Sequence, residues 1–220
     1  VLMDRAHGWE KYTYAGERIW GERQMRRGDR MVDGFFNVAY FPFPQNEGDP
    51  VDDLNVPWPN GYFGDIFDVL VTSPTRMDAV DAYPVVFCVG DTRLDAAWAA
   101  RLKTYVMNGG TLVVNAEQVV PAFDEAFLGV KIGSAKKEAS VVVTCTDSQK
   151  LAGTVFPYTA VEPTTAKVIA RTDAGDPVAL VNDAGKGRVV LTTPSYLLGQ
   201  DEAPMPYMAR LLQEVTSGLL

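Results

Sequence analysis

The side chains able to give or take protons set the first limits on what this chain can do. Its 220 residues include one histidine, His7, and two cysteines, Cys88 and Cys145. A zinc site of several His and Cys ligands cannot be assembled from one such chain, and an imidazole-based nucleophilic triad would have to pass through His7. No metal site and no cofactor is expected. Carboxylates are the abundant acid and base groups, with 28 Asp and Glu against 20 Lys and Arg. Four groups stand out by position. Asp4 and His7 follow the short apolar start Val1-Leu2-Met3, Asp91 follows the run ending at Val89, and Glu117 follows the run ending at Asn115. If those runs are parallel strands, all four groups share the rim outside the strand carboxyl ends, where open sheets of this kind bind ligands. Two rim carboxylates about 5–5.5 Å apart would suit retaining glycoside cleavage, and two about 6.5–9.5 Å apart inverting cleavage, with His7 assisting. The competing reading gives these acids to helix capping, because a carboxylate at a strand-to-helix turn accepts the free N–H groups. Asp91 stands three residues before a helix expected to begin at Leu94.

A second set of candidates is aromatic. Residues 1–63 hold 12 of the 23 aromatic residues, together with Pro42, Pro44, Pro50, Pro57 and Pro59. Prolines at this density remove backbone donors and stop helices and central strands, so residues 42–62 read as a long irregular loop. The aromatic content points to packing against the rest of the chain, since disordered segments are poor in such residues. Trp9, Trp20 and Trp58 are the candidate ligand-binding surface. Indole faces flanked by Asp, Asn and Glu suit a saccharide, with CH faces stacked and hydroxyls hydrogen-bonded. The expected division is therefore 1–63, an aromatic-rich N-terminal strand and long loop, and 64–220, an α/β domain.

The elements that must position these groups follow from periodicity. Asp68–Thr72, Pro84–Val89 and Thr111–Asn115 are short apolar runs bounded by turn residues, as strands buried on both faces require. Between the last two, Leu94, Trp98, Leu102, Tyr105 and Val106 recur at helical spacing up to Met107, and Asn108-Gly109-Gly110 supplies a stop. Strand, helix and strand in that order imply a right-handed parallel unit. A short helix is expected over Ala122–Leu128. Beyond it the pattern turns antiparallel, with strands at Val141–Cys145, Lys167–Arg171, Pro177–Val181 and Arg188–Thr192, and turns at 173–176 and 182–187. A closing helix is expected over Met205–Val215. Cys88 and Cys145 both sit in apolar runs and read as buried free thiols, with a disulfide between them the alternative.

Charge excludes two classes of partner. A net charge of -8 and a pI near 4.7 argue against nucleic acid or an anionic membrane, which need clustered Lys and Arg; the only basic cluster, Arg23 to Arg30, is flanked by Glu22 and interrupted by Asp29, and no run of 18 apolar residues exists. Phosphate-binding motifs are absent: there is no GxxxxGK[ST], and the turn Val89–Leu94 holds one glycine where a dinucleotide fingerprint needs three. The opening Val1 suggests a piece excised from a longer chain. That leaves localisation unknown, with a secreted or periplasmic parent an open alternative.

Several runs, taken in order, resemble a known family. Gly64–Leu70, then Tyr83–Asp91, then Leu102–Val114 are similar to the class I glutamine amidotransferase-like domains, more narrowly to those attached to glycoside hydrolases, such as the trimerisation domain of some beta-galactosidases. Asp176–Asn182 followed by Gly185–Leu191 resembles that group's closing hairpin. The opening Asp4–Trp9 with Ile19-Trp20-Gly21 is similar to such domains less specifically. The resemblance implies an α/β, flavodoxin-like fold: a mainly parallel sheet, helices on both faces and an antiparallel extension. Active members carry a cysteine in a Gly-x-Cys-x-Gly elbow after the strand that here ends at Val114, where this chain has Asn115-Ala116-Glu117. Their histidine follows the last core strand, where this chain reads Thr192-Thr193-Pro194-Ser195-Tyr196. Without thiolate or base there is no thioester chemistry. The resemblance thus implies a degenerate, non-catalytic accessory domain. Its partners would be a catalytic domain of the same parent chain or a subunit of a homo-oligomer, and a saccharide, with no nucleic acid and no membrane.

Overall fold

In the computed structural model, residues 1–3, 35, 68–197, 207, 208, 210 and 211 are described, and the statements below concern them. Asp4, His7, Trp9, Trp20, Trp58, the proline-rich loop and the division at 63/64 lie outside the described residues. The strands are β1 (Leu2–Met3), β2 (Leu70–Val71), β3 (Val85–Phe87), β4 (Thr111–Asn115), β5 (Val130–Thr144), β6 (Lys150–Pro163), β7 (Lys167–Thr172), β8 (Pro177–Ala184) and β9 (Gly187–Thr192). The helices are α1 (Ala96–Met107) and α2 (Glu125–Leu128), and Tyr207, Met208, Arg210 and Leu211 are also helical.

β1 pairs β2 in parallel, and a single parallel bridge from Leu2 to Cys88 joins that pair to the end of β3. From there the sheet runs β3-β4-β9-β8-β7-β5-β6. The β3–β4 and β4–β9 ladders are parallel, and β9–β8, β8–β7, β7–β5 and β5–β6 are antiparallel. The molecule is thus α/β with a mixed sheet and few helices. The expected mainly parallel sheet needs correction, because the antiparallel part is larger than the short apolar runs announced. β5 and β6 form one long hairpin, of which only Val141–Thr144 reads as a buried strand. Residues 133–138 and 152–155 are exposed, so no apolar alternation marks them.

Alternation of side chains builds two cores from the same strands. Leu112 and Val114 of β4, with Val189 and Leu191 of β9, face a layer formed by Trp98, Leu102 and Val106 of α1 and Phe127 of α2. Val113 and Val190 face the opposite layer, which includes Phe35, Tyr207, Met208 and Leu211. Helical residues therefore cover both faces of the central strands. Leu2, Leu102, Leu112, Leu180 and Leu211 are wholly enclosed, each contributing roughly 1.5–3 kcal/mol through burial.

Local ends follow capping chemistry. α1 begins at Ala96, with Asp95 as its cap accepting the Trp98 N–H at 2.8 Å; the expected start at Leu94 is two residues early, and the cap is Asp95 in place of Asp91. Gly109, at φ 125°, takes the left-handed turn beyond the helix. α2 is shorter than the expected Ala122–Leu128, since Asp124 caps it by accepting the Phe127 N–H at 2.9 Å. β8 runs on to Ala184, leaving only Gly185-Lys186 as the turn to β9. Gly187 packs against the carbonyls of Val106 and Gly110, a position where a Cβ does not fit.

Candidate functional site

The carboxyl ends of β3, β4 and β9 form the rim on which the sequence places its acids. The chain after β4 enters a 3-10 turn, Ala116–Gln118, held by a reciprocal cap: the Asn115 Oδ1 accepts the Glu117 N–H at 3.0 Å, and the Gln118 Oε1 accepts the Asn115 N–H at 2.9 Å. This motif satisfies two otherwise free donors at once. The same side chains then tie neighbouring strands together. Asn115 Nδ2 donates to Thr192 Oγ1 at 3.0 Å and to the Pro194 carbonyl at 2.6 Å, joining β4 to the end of β9. Gln118 Nε2 donates to the carbonyls of Cys88 at 3.2 Å and Gly90 at 2.7 Å, joining β4 to the end of β3.

Glu117 is held on the rim by two side chains. Its Oε1 accepts from Ser195 Oγ at 2.6 Å and from Lys136 Nζ at 2.5 Å, and Lys136 also donates to Thr159 Oγ1 at 2.8 Å. The Glu117 side chain is 19% exposed, against 50% for Lys136. Lys136 reaches the rim because the β5–β6 register shifts between Ile132 and Lys136, a bulge that re-aims the following side chains. Asp91, also predicted on the rim, follows Gly90 in the turn beyond β3, and its carboxyl oxygen Oδ1 is enclosed. Asp4 and His7 belong to the same prediction and lie outside the described residues, as do Trp9, Trp20 and Trp58. The partners Ser195, Lys136, Asn115 and Gln118 are absent from the predicted set. The Asn-x-x-Gln spacing of 115–118 is their one signal in the sequence, since it is a capping-box pattern.

Below the rim lies a hollow of about 20 Å³, bounded among others by Phe35, Cys88, Val113, Tyr196, Leu197 and Met208. That is room for about one water, far less than a sugar ring needs. Cys88 lines it, and burial pushes its thiol up to about 12. The thiol therefore stays protonated near neutral pH and is a poor nucleophile. The expectation of two buried residues needs correction: Cys88 is half-buried, with its thiol turned inward, and Cys145 is exposed in the turn beyond the end of β5 at Thr144. Above the hollow, Tyr196 and Leu197 adopt φ 52° and 63°. Left-handed backbone costs a non-glycine residue roughly 1–2 kcal/mol, so the connection leaving β9 carries strain at two successive residues.

A second polar cluster sits in the antiparallel half. Tyr158 Oη donates to Asp176 Oδ2 at 2.6 Å, and Lys137 Nζ to the same oxygen at 2.9 Å. The Tyr158 hydrogen bond, then Lys137, holds the Asp176 carboxyl below the usual carboxylate range, while burial first and the bond to Asp176 second push the Tyr158 phenol up to about 12. No group of three or more His, Cys, Asp or Glu able to hold a metal occurs among the described residues, and no described helix is long and apolar enough to cross a membrane.

No protein-family model matches the chain, and no curated protein does. Solved structures do match. A polyextremophilic beta-galactosidase from the Antarctic haloarchaeon Halorubrum lacusprofundi is 15% identical with a TM-score of 0.50, over 68% of this chain and 24% of that one. A catalytic mutant of a GH42 beta-galactosidase from G. stearothermophilus is 17% identical with a TM-score of 0.48, over 69% of this chain and 23% of that one. A cytoplasmic protein from Salmonella typhimurium is 13% identical with a TM-score of 0.49, over 68% of this chain and 80% of that one. This chain spans about a quarter of the length of the beta-galactosidases it matches. The fold likeness rests on the first of these, and it identifies the α/β fold of the described residues as one that recurs within a beta-galactosidase.

Proposed function

We propose that the chain is a non-catalytic, amidotransferase-like accessory domain of a carbohydrate-active multidomain protein of the glycoside hydrolase kind, where it serves assembly or supports a saccharide cleft. The carrying observation is the bend after β4. Asn115, Glu117 and Gln118 stand where the family resemblance puts a nucleophile elbow, and their side chains hydrogen-bond to the ends of β3 and β9 and to the β5–β6 hairpin. A general acid or base must reach the proton it moves in a substrate. Glu117 instead has its Oε1 engaged by a hydroxyl and an ammonium of its own chain. The finer family reading draws support from strand order, since β2-β1-β3-β4-β9 follows the doubly wound pattern 2-1-3-4-5. A fold likeness that covers only a quarter of a beta-galactosidase favours a supporting domain over the whole enzyme. In this proposal the partner is the parent's catalytic domain or a second subunit, and Trp9, Trp20 and Trp58 supply contact surface.

The test is turnover of a panel of nitrophenyl glycosides by the 220-residue chain beside Glu117→Gln and Asp91→Asn. The proposal expects rates at the uncatalysed level for all three. Turnover by the unaltered chain that either substitution abolishes would establish the rim as a hydrolytic carboxylate site and end the accessory reading.

A further inference from the structure

We propose that Ser195–Leu197 is a spring-loaded strap that Glu117 clamps shut over the hollow at the sheet rim, so that the hollow opens by local release of this segment without unfolding of the sheet. Three independent features converge on it. The strap is strained, because Tyr196 and Leu197 sit at φ 52° and 63°, where neither residue type is at ease. It bounds a space, because both residues line the hollow together with Cys88 and Val113. It is pinned upstream of the strain: Ser195 Oγ donates to Glu117 Oε1 at 2.6 Å, and the Pro194 carbonyl accepts from Asn115 Nδ2 at 2.6 Å. Backbone bonds from Thr193 N–H to the Val178 carbonyl and from Thr159 N–H to the Thr193 carbonyl, both 3.0 Å, anchor the residue just before. The geometry thus has a fixed hinge at Thr193, a clamp at 194–195 and stored strain at 196–197. A strained segment persists only while its surroundings over-determine it, so cutting the Ser195–Glu117 bond biases this strap toward release.

Cys88 is a built-in reporter, since its thiol lines the hollow below the strap and burial keeps it protonated. In a Cys145→Ala background, maleimide modification of Cys88 measures opening. Ser195→Ala is expected to speed labelling at least tenfold while circular dichroism and the urea midpoint stay close to those of the parent, and Glu117→Ala to speed it as much with the fold retained by circular dichroism but a lowered urea midpoint. Glu117→Gln keeps an acceptor for the Ser195 hydroxyl, and so should label at a rate nearer the parent. Unchanged labelling in Ser195→Ala overturns the proposal. Acceleration that grows with urea as steeply as global unfolding also overturns it, because the segment then opens only with the whole sheet. Glycosidase activity plays no part in this readout, so the strap and the accessory-domain reading stand or fall separately.

Discussion

The parallel and antiparallel halves of the sheet use opposite means to the same end. β4 is buried along its whole length and sits between β3 and β9 with helical residues on both faces, so its central residues Leu112, Val113 and Val114 contribute through apolar burial and packing. β5 and β6 are the longest strands, yet much of their hairpin is exposed. They contribute through side chains placed at distance: Lys136 on Glu117 and Lys137 on Asp176. The difference teaches that the rim, the conventional seat of chemistry in such folds, is here where the two halves are fastened together. The hairpin supplies the cation that occupies the rim carboxylate.

The contrast should appear first in core truncations. Leu112→Ala, at a wholly enclosed position, is expected to lose about 3–4 kcal/mol in urea unfolding. Val155→Ala, on the exposed hairpin at 36% exposure, should stay within about 0.5 kcal/mol; comparable losses would erase the distinction. Next comes Gly187→Ala, whose Cβ meets backbone carbonyls where α1 and the β8–β9 turn touch. A loss of about 1–3 kcal/mol is expected, and a neutral outcome would show that this junction has slack. Asp95→Ala removes the α1 cap and should lower stability by about 1 kcal/mol, measured as a drop in Tm with the fold retained by circular dichroism. The smallest effect belongs to the antiparallel half. Asp176 is held below its ordinary value of 3.8 by Tyr158 and then Lys137. A carboxylate lowered in the folded state adds stability above its unfolded value and loses it as pH falls through the folded one. Tyr158→Phe should therefore narrow the stability difference between neutral and acid pH; an unchanged acid limb would show that the Tyr158 bond adds nothing to it.

Legibility followed the same division. Thr111–Asn115 was readable to the residue because Leu112-Val113-Val114 is a continuous apolar run, as burial on both faces requires, and α1 was readable because Trp98, Leu102, Tyr105 and Val106 keep helical spacing. The β5–β6 hairpin was not. Its exposed stretch Lys136-Lys137-Glu138 carries no apolar alternation, and Pro157 and Pro163 argue against a strand unless its outer side needs no donor at those points. The rim position of Asp91 and Glu117 was legible from strand ends alone. The identity of the groups holding Glu117 was not, because Lys136 and Ser195 come from elements 19 and 78 residues away, Lys136 beyond a register shift in the β5–β6 pairing and Ser195 from the connection leaving β9, and no local pattern encodes either.

The most direct measurement of the central claim is the unfolding free energy of Glu117→Ala against the parent chain. A carboxylate kept for structure loses stability when removed, by about 1–3 kcal/mol for buried partners left unpaired. A carboxylate kept for catalysis is typically held at a cost to stability, so its removal is neutral or stabilising. The account predicts a less stable variant, with the buried Ser195 hydroxyl left without its carboxylate acceptor. A variant as stable as the parent, or more so, would contradict it.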